Sequence, residues 1–214
     1  MRFSRLTTLF VAAMLFVAPT VAQAQFTVFT NFADFLAATS NAGTDSFDDI
    51  SVDAPASPLA RQAGSHSYTV ATNTLGFYNV GNGADRWLSS DESFATITFS
   101  GFDALVRGIG GFFFGTTAAG DINQQLGLTV TATSASGIVS ETFIGAPGSF
   151  LGFVSTDAIL SLTVKTEIAT VDMWPTANDF VVANAATTVP EPSTFVLLAI
   201  GIAGVLVVMK RRAA

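Results

Sequence analysis

Apolar and polar residues alternate one by one along residues 68–72, 94–99, 128–133, 138–144 and 159–164, and β-branched or aromatic side chains dominate each run. That two-residue period predicts strands with one buried face. Gly76, Gly81, Gly83, Gly101, Gly120, Gly137 and Gly148 interrupt the pattern every ten to twenty residues, as turns between antiparallel strands would. One stretch departs to a helical period. Asn31 can cap a short helix with Asp34 in its first turn, and Phe32, Phe35 and Leu36 would then share a face. Phe112, Phe113 and Phe114 make their strand apolar on both sides, which predicts a central strand covered on both faces.

Roughly ten strands fit in this length, and no internal repeat is visible, which disfavours a propeller. The expected fold class is therefore all-β: an antiparallel two-sheet, jelly-roll-like sandwich with one short N-terminal helix, plus a C-terminal transmembrane helix. The division is 1–24 as a signal peptide, 25–189 as an extracytoplasmic β-sandwich domain, and 190–214 as a sorting and anchoring tail.

Both ends carry a different pattern from the middle. Arg2 and Arg5 precede nine apolar residues at 9–17, and Ala22 and Ala24 flank Gln23 just before Gln25. This is the layout of a secretory signal cut by signal peptidase ahead of Gln25. Nine apolar residues followed by Pro19 are too few to cross about 30 Å of hydrocarbon. At the other end Val189-Pro190-Glu191-Pro192-Ser193 precedes residues 195–209, which carry no charge, and then Lys210-Arg211-Arg212. The segment is apolar on every side, so it reads as a short membrane helix over 194–209 rather than as a core helix. Three terminal cations should stay cytoplasmic, leaving 25–189 outside.

The tail resembles the PEP-CTERM sorting signal of Gram-negative bacteria, on the strength of Val189 to Ser193, the short apolar helix and the basic end of Lys210, Arg211 and Arg212 in that order. The resemblance implies an exosortase as partner, which recognises the tail and cuts near Pro-Glu-Pro. It also implies an inner-membrane-anchored precursor that ends at the cell surface or in an extracellular matrix or biofilm, beside extracellular polysaccharide. The two prolines fit such a role physically, because they hold the segment extended and deny a helical start. The run Phe150-Leu151-Gly152-Phe153-Val154-Ser155, then Asp157-Ala158-Ile159, then Asn178-Asp179-Phe180-Val181-Val182, is similar to the close of jelly-roll modules in exported PEP-CTERM proteins.

Composition narrows the chemistry. Half of the chain is hydrophobic and only 12% is charged, with mean hydropathy +0.52, an excess that the two ends account for in part. Within 25–189 the bases are Arg61, Arg86, Arg107 and Lys165 against fifteen acids, a net −11. Nucleic acid is excluded as a partner, since phosphate binding needs clustered bases. Without cysteine there is neither a disulfide, a thiolate metal site nor a cysteine nucleophile. His66 is the sole histidine, no Gly-x-Ser-x-Gly accompanies it, and it reads as a surface residue in a turn entering a strand. Gly108-Ile109-Gly110-Gly111 is not a phosphate loop, because the third glycine is misplaced and no helix follows; it predicts backbone room in a strand.

Two binding chemistries remain. Calcium takes oxygen ligands, and Asp45 or Asp48 joined to Asp179 would tie the first and last strands together. Sugars stack on flat aromatics, and Trp87 and Trp174 each have an acid nearby, Asp85 and Asp172, with Arg86 beside Trp87 as well. The leading expectation is a non-enzymatic surface or matrix protein that binds or organises extracellular polysaccharide, with no catalytic residues. The alternatives are an extracellular polysaccharide hydrolase built on paired carboxylates, and a purely structural surface protein.

Overall fold

A computed structural model describes residues 26–50, 53–125, 127–167 and 172–186. The signal-peptide residues Ala22, Ala24 and Gln25, the sorting motif Val189 to Ser193, the expected span 194–209 and the basic end Lys210 to Arg212 all lie outside them. No helix among the described residues is long and apolar enough to cross a membrane.

The elements run β1 (Phe26–Phe29), α1 (Phe32–Ala37), β2 (Thr39–Asp45), β3 (Leu59–Ala63), β4 (His66–Thr72), β5 (Phe77–Asn82), β6 (Asp85–Ser90), β7 (Thr96–Ser100), β8 (Val106–Thr116), β9 (Ile122–Asn123), β10 (Leu128–Ser134), β11 (Gly137–Phe143), β12 (Phe150–Ser155), β13 (Ile159–Thr166) and β14 (Trp174–Ala185). They form two antiparallel sheets. The first has the order β1-β12-β8-β14-β6-β5, with β2 also on β14 and β9 on β8; the second has the order β11-β10-β13-β7-β4-β3. The chain is thus mostly β, in two antiparallel sheets with one short helix. The five alternating runs correspond to β4, β7, β10, β11 and β13, with one shifted start. Residues 94 and 95 fall outside β7 because Phe94 has φ 61°, a left-handed backbone that cannot continue a strand. More strands form than the pattern predicts. β2 is one that it missed, since Thr39 to Asp45 holds no apolar alternation and pairs at the margin of β14.

The alternating residues of the two sheets meet in one core. Val70, Phe99, Leu162 and Ala132 stand in register across β4, β7, β13 and β10, and they pack with Ile109, Phe113, Phe153 and Phe180 of the opposite sheet. Phe99 and Phe180 stack across the interface with centroids 4.1 Å apart. β8 is the central strand that the phenylalanine triplet predicts, flanked by β12 and β14. Phe113 faces the inter-sheet core, while Phe112 and Phe114 face outward, and both outward rings are covered.

A second, smaller core covers Phe112, while Trp87 covers Phe114. Helix α1 lies on the outer side of the first sheet, where Phe35 packs with Phe150, Val181 and Ala183 and is joined by Phe29, Phe32 and Phe112. Asn31 caps the helix as expected, its Oδ1 accepting from the backbone N–H of Ala33 at 2.8 Å and of Asp34 at 3.2 Å. The Gly108-Ile109-Gly110-Gly111 run supplies the room this packing needs. An added Cβ on Gly110 would lie 2.7 Å from Phe150 Cζ and 2.9 Å from Gly152 Cα. The first and last described strands lie in the same sheet: Thr27, Val154, Gly108 and Ala183 form one registered row across β1, β12, β8 and β14.

Candidate functional site

The residues singled out for sugar and metal binding do not form one site. Trp87 is only 7% exposed and its ring meets Phe114 edge-on, with centroids 4.9 Å apart, so it offers no open face to a sugar. This corrects its assignment as a stacking platform. The physical reason is its place on β6, where its side of the sheet also carries the outward Phe114. Its Nε1 has no hydrogen-bond partner among the described residues. Trp174 is half-buried at the start of β14, paired with Thr116. Beside it the hydroxyls of Ser89, Thr116 and Thr176 bond to one another at 2.9–3.2 Å and are buried.

The carboxylates are committed elsewhere. Asp45 is buried and saturated with donors: Arg61 Nε at 2.9 Å, Arg61 Nη2 at 2.5 Å, Tyr68 Oη–H at 2.7 Å and the N–H of Phe47 at 3.1 Å. Asp48 accepts from the backbone N–H of Arg86 at 2.8 Å. Asp179 sits at φ 45° in the bulge of β14, its carboxyl pushed above the usual range by burial and by the negative charges of Asp85 and Asp48. Asp48 and Asp179 therefore do feel each other, but Asp45 belongs to Arg61. Among the described residues no three acids converge on a position for a metal ion. The calcium set of Asp45, Asp48 and Asp179 is accordingly not assembled.

His66 is also not the surface residue the sequence pattern implied. It is buried at the β3–β4 turn, with Nε2 2.8 Å from Asn41 O and Nδ1 3.4 Å from Asp103. A ring so held between β2 and the loop before β8 is a structural contact.

Arg61 spans two carboxylates. Besides Asp45 it reaches Asp49, with Nη1 at 3.2 Å and Nη2 at 2.5 Å, and its guanidinium lies 5.6 Å from the centroid of Phe47. Burial opposes its charge, yet these hydrogen bonds outweigh burial and hold its pKa above the ordinary arginine value. Burial first, and the adjacent Asp45 second, raise the Tyr68 phenol far above its normal value. Such a hydroxyl donates and does not ionise.

The most regular feature is the outer face of the second sheet. Thr98 of β7, Thr163 of β13, Thr131 of β10 and Ser140 of β11 form one registered row. Thr69, Ser100, Ser161 and Thr133 form the next, and Thr96, Lys165, Thr129 and Thr142 the third. Lys165 is the only charged residue in register within these rows, in a domain with fifteen acids, and the Glu167 carboxylate accepts from Thr129 and Thr142 of the third row. Thr131 and Ser140 share a hydrogen bond of 2.8 Å, and Thr129 and Thr142 one of 3.0 Å. Where this face reaches β3 and β4, an open cavity of 510 Å³ is lined by Ala60, Gln62, Ser67 and Thr69, with Asp49, Arg61, Tyr68 and Gly101 around them. The signal was present in the sequence as threonine or serine at alternate positions: 96, 98 and 100, then 129, 131 and 133, then 161 and 163. It was overlooked because the same pattern also satisfies strand propensity.

Residues 188–212 match the PEP-CTERM protein-sorting motif. No curated protein matches the chain. The matched segment contains Val189 to Ser193 and Lys210 to Arg212, the residues on which the resemblance rested. The chain therefore carries a PEP-CTERM sorting motif at residues 188–212, and such a motif implies sorting by an exosortase: export, a membrane-anchored precursor and then the surface.

Proposed function

We propose that this protein is a non-enzymatic, jelly-roll surface module that binds neutral extracellular polysaccharide on the hydroxyl-lined face of its second sheet. The strand order supports the jelly-roll reading. From β6 to β14 the main strands alternate between sheets to give β6-β14-β8-β12 opposite β7-β13-β10-β11, with β10 and β11 the one hairpin that stays in a single sheet.

The observation that carries the binding reading is the charge pattern of that face. A domain at net −11 places no acid within the three hydroxyl rows, and the one carboxylate that reaches them, Glu167, engages only Thr129 and Thr142 of the third. Strands about 4.8 Å apart, with outward residues about 6.7 Å apart along each, present hydroxyls as a flat lattice. An extended neutral glycan presents hydroxyls in the same manner. The cavity over Gln62, Ser67 and Thr69 gives the lattice a recess at one margin.

Co-sedimentation with an insoluble neutral β-1,4-glucan tests the reading. Binding should be insensitive to salt between about 0.05 and 0.5 M, since no ion pair contributes. Thr163→Glu should weaken it about tenfold, the equivalent of roughly 1.4 kcal/mol. Retention of full binding by that variant with loss in Trp174→Ala would move the site to the first sheet. Released reducing ends would favour the hydrolase, and failure to bind any neutral glycan the purely structural protein.

A further inference from the structure

Apart from the side strands β2 and β9, the two sheets end in four strands, and three of these edges are blunted. β1 is only four residues long. β5 is covered by the segment before β3, with the N–H groups of Phe77 and Asn79 donating to Pro55 O and Asp53 O at 2.9 Å each. β3 is closed by β2, since an added Cβ on Gly43 would lie 2.2 Å from Ala63 O. β11 is different. It has seven residues in unbroken register with β10 from Phe143 to Gly137, and among the described residues it pairs with no other strand. It holds neither lysine nor proline, its single charge is Glu141, and Ile138 is 69% exposed. Glu141, on the same face as core Val130, is its one protecting charge, and no lysine, proline or covering strand accompanies it among the described residues.

We propose that β11 pairs antiparallel with β11 of a second copy of this chain, joining two six-stranded sheets into one. A two-fold axis perpendicular to the sheet must pass through a residue, and Ser140 is the midpoint of the strand. Pairing about Ser140 engages all seven residues and sets Ser140 opposite itself and Ile138 opposite Thr142. It also sets Glu141 opposite Val139, so the two carboxylates are diagonal neighbours and no like charges stand directly opposite. The neighbouring axis through Glu141 would oppose two carboxylates and is disfavoured. The hydroxyl rows then continue from one copy into the next. This dimer does not depend on glycan binding.

The chain lacks cysteine, so a single Ser140→Cys substitution in the full-length protein places one thiol at the axis. Directly opposed strand residues lie within disulfide reach, and mild oxidation should cross-link this variant about tenfold faster than Ser67→Cys at the far side of the same sheet. Sedimentation of the full-length wild type in detergent should give twice the 22.2 kDa chain mass. Ser140→Lys, which sets two cations against each other, should give the single mass with an unchanged melting temperature. A monomeric wild type, equal cross-linking by the two cysteine variants, or a dimer unaffected by Ser140→Lys would each overturn the proposal.

Discussion

Arg61 donates to both carboxylate oxygens of Asp45, and the pair joins the two sheets, because Asp45 ends β2 of the first and Arg61 is central in β3 of the second. Tyr68 of β4 adds a third donor. The bidentate fork with further donors replaces the water that a buried carboxylate would otherwise lose.

Removing the guanidinium should therefore leave a buried charge without its partner. Arg61→Met is expected to cost about 3–5 kcal/mol by urea unfolding. Tyr68→Phe removes one donor to a charged acceptor and should cost about 1.5–3 kcal/mol. The double variant Arg61→Met, Asp45→Asn should recover part of the first loss. An equal or larger loss in the double variant would show that the pair does not act as a unit.

Asp49 shares Arg61 but is largely exposed. The hydrogen bond from Arg61 holds its carboxyl below the usual value, against a small opposing effect of burial. A carboxyl depressed in the folded state stabilises fully above its unfolded value near 3.9, and that contribution is lost as pH falls through the folded value. Asp49→Asn should thus flatten the acid limb of a stability-against-pH curve below about pH 4, with little change in its slope above about pH 6.

Asp179 has the opposite sign. Burial, with Asp85 and Asp48, raises its folded-state value, so the ionised form opposes folding at neutral pH. Mild acidification through that raised value should increase stability. Asp179→Asn should raise the melting temperature at pH 7 and abolish the gain on acidification. Asparagine also tolerates the positive φ found there. A destabilised variant would contradict this account.

Gly110 probes the second core. An added methyl would meet Leu151 O and Gly152 Cα at 2.9 Å, backbone atoms that cannot rotate aside. Gly110→Ala should cost about 1–3 kcal/mol through overpacking. Asn31→Ala at the helix cap should cost about 1 kcal/mol. Thermal denaturation of both variants checks whether α1 is held more by its packing or by its cap.

Much of this protein was legible without coordinates. Strand periodicity, the Asn31 cap and the two-sided phenylalanine strand are local properties, set by side-chain alternation and nearby donors, so the pattern located β4, β10, β11, β13 and α1. The tail was legible for a similar reason, because a sorting signal is read as an extended segment followed by apolar length and terminal charge. Tertiary structure decided what each polar or aromatic side chain meets. Trp87 and Asp45 carry the residue types of binding sites, but Phe114 covers one and Arg61, sixteen positions away, neutralises the other. The hydroxyl lattice needed register as well as pattern, since alternating threonines on separate strands become one surface only when hydrogen bonding brings Thr98, Thr163, Thr131 and Ser140 into line. A chain sets which residues alternate; the pairing of strands distant along it sets which of them stand side by side.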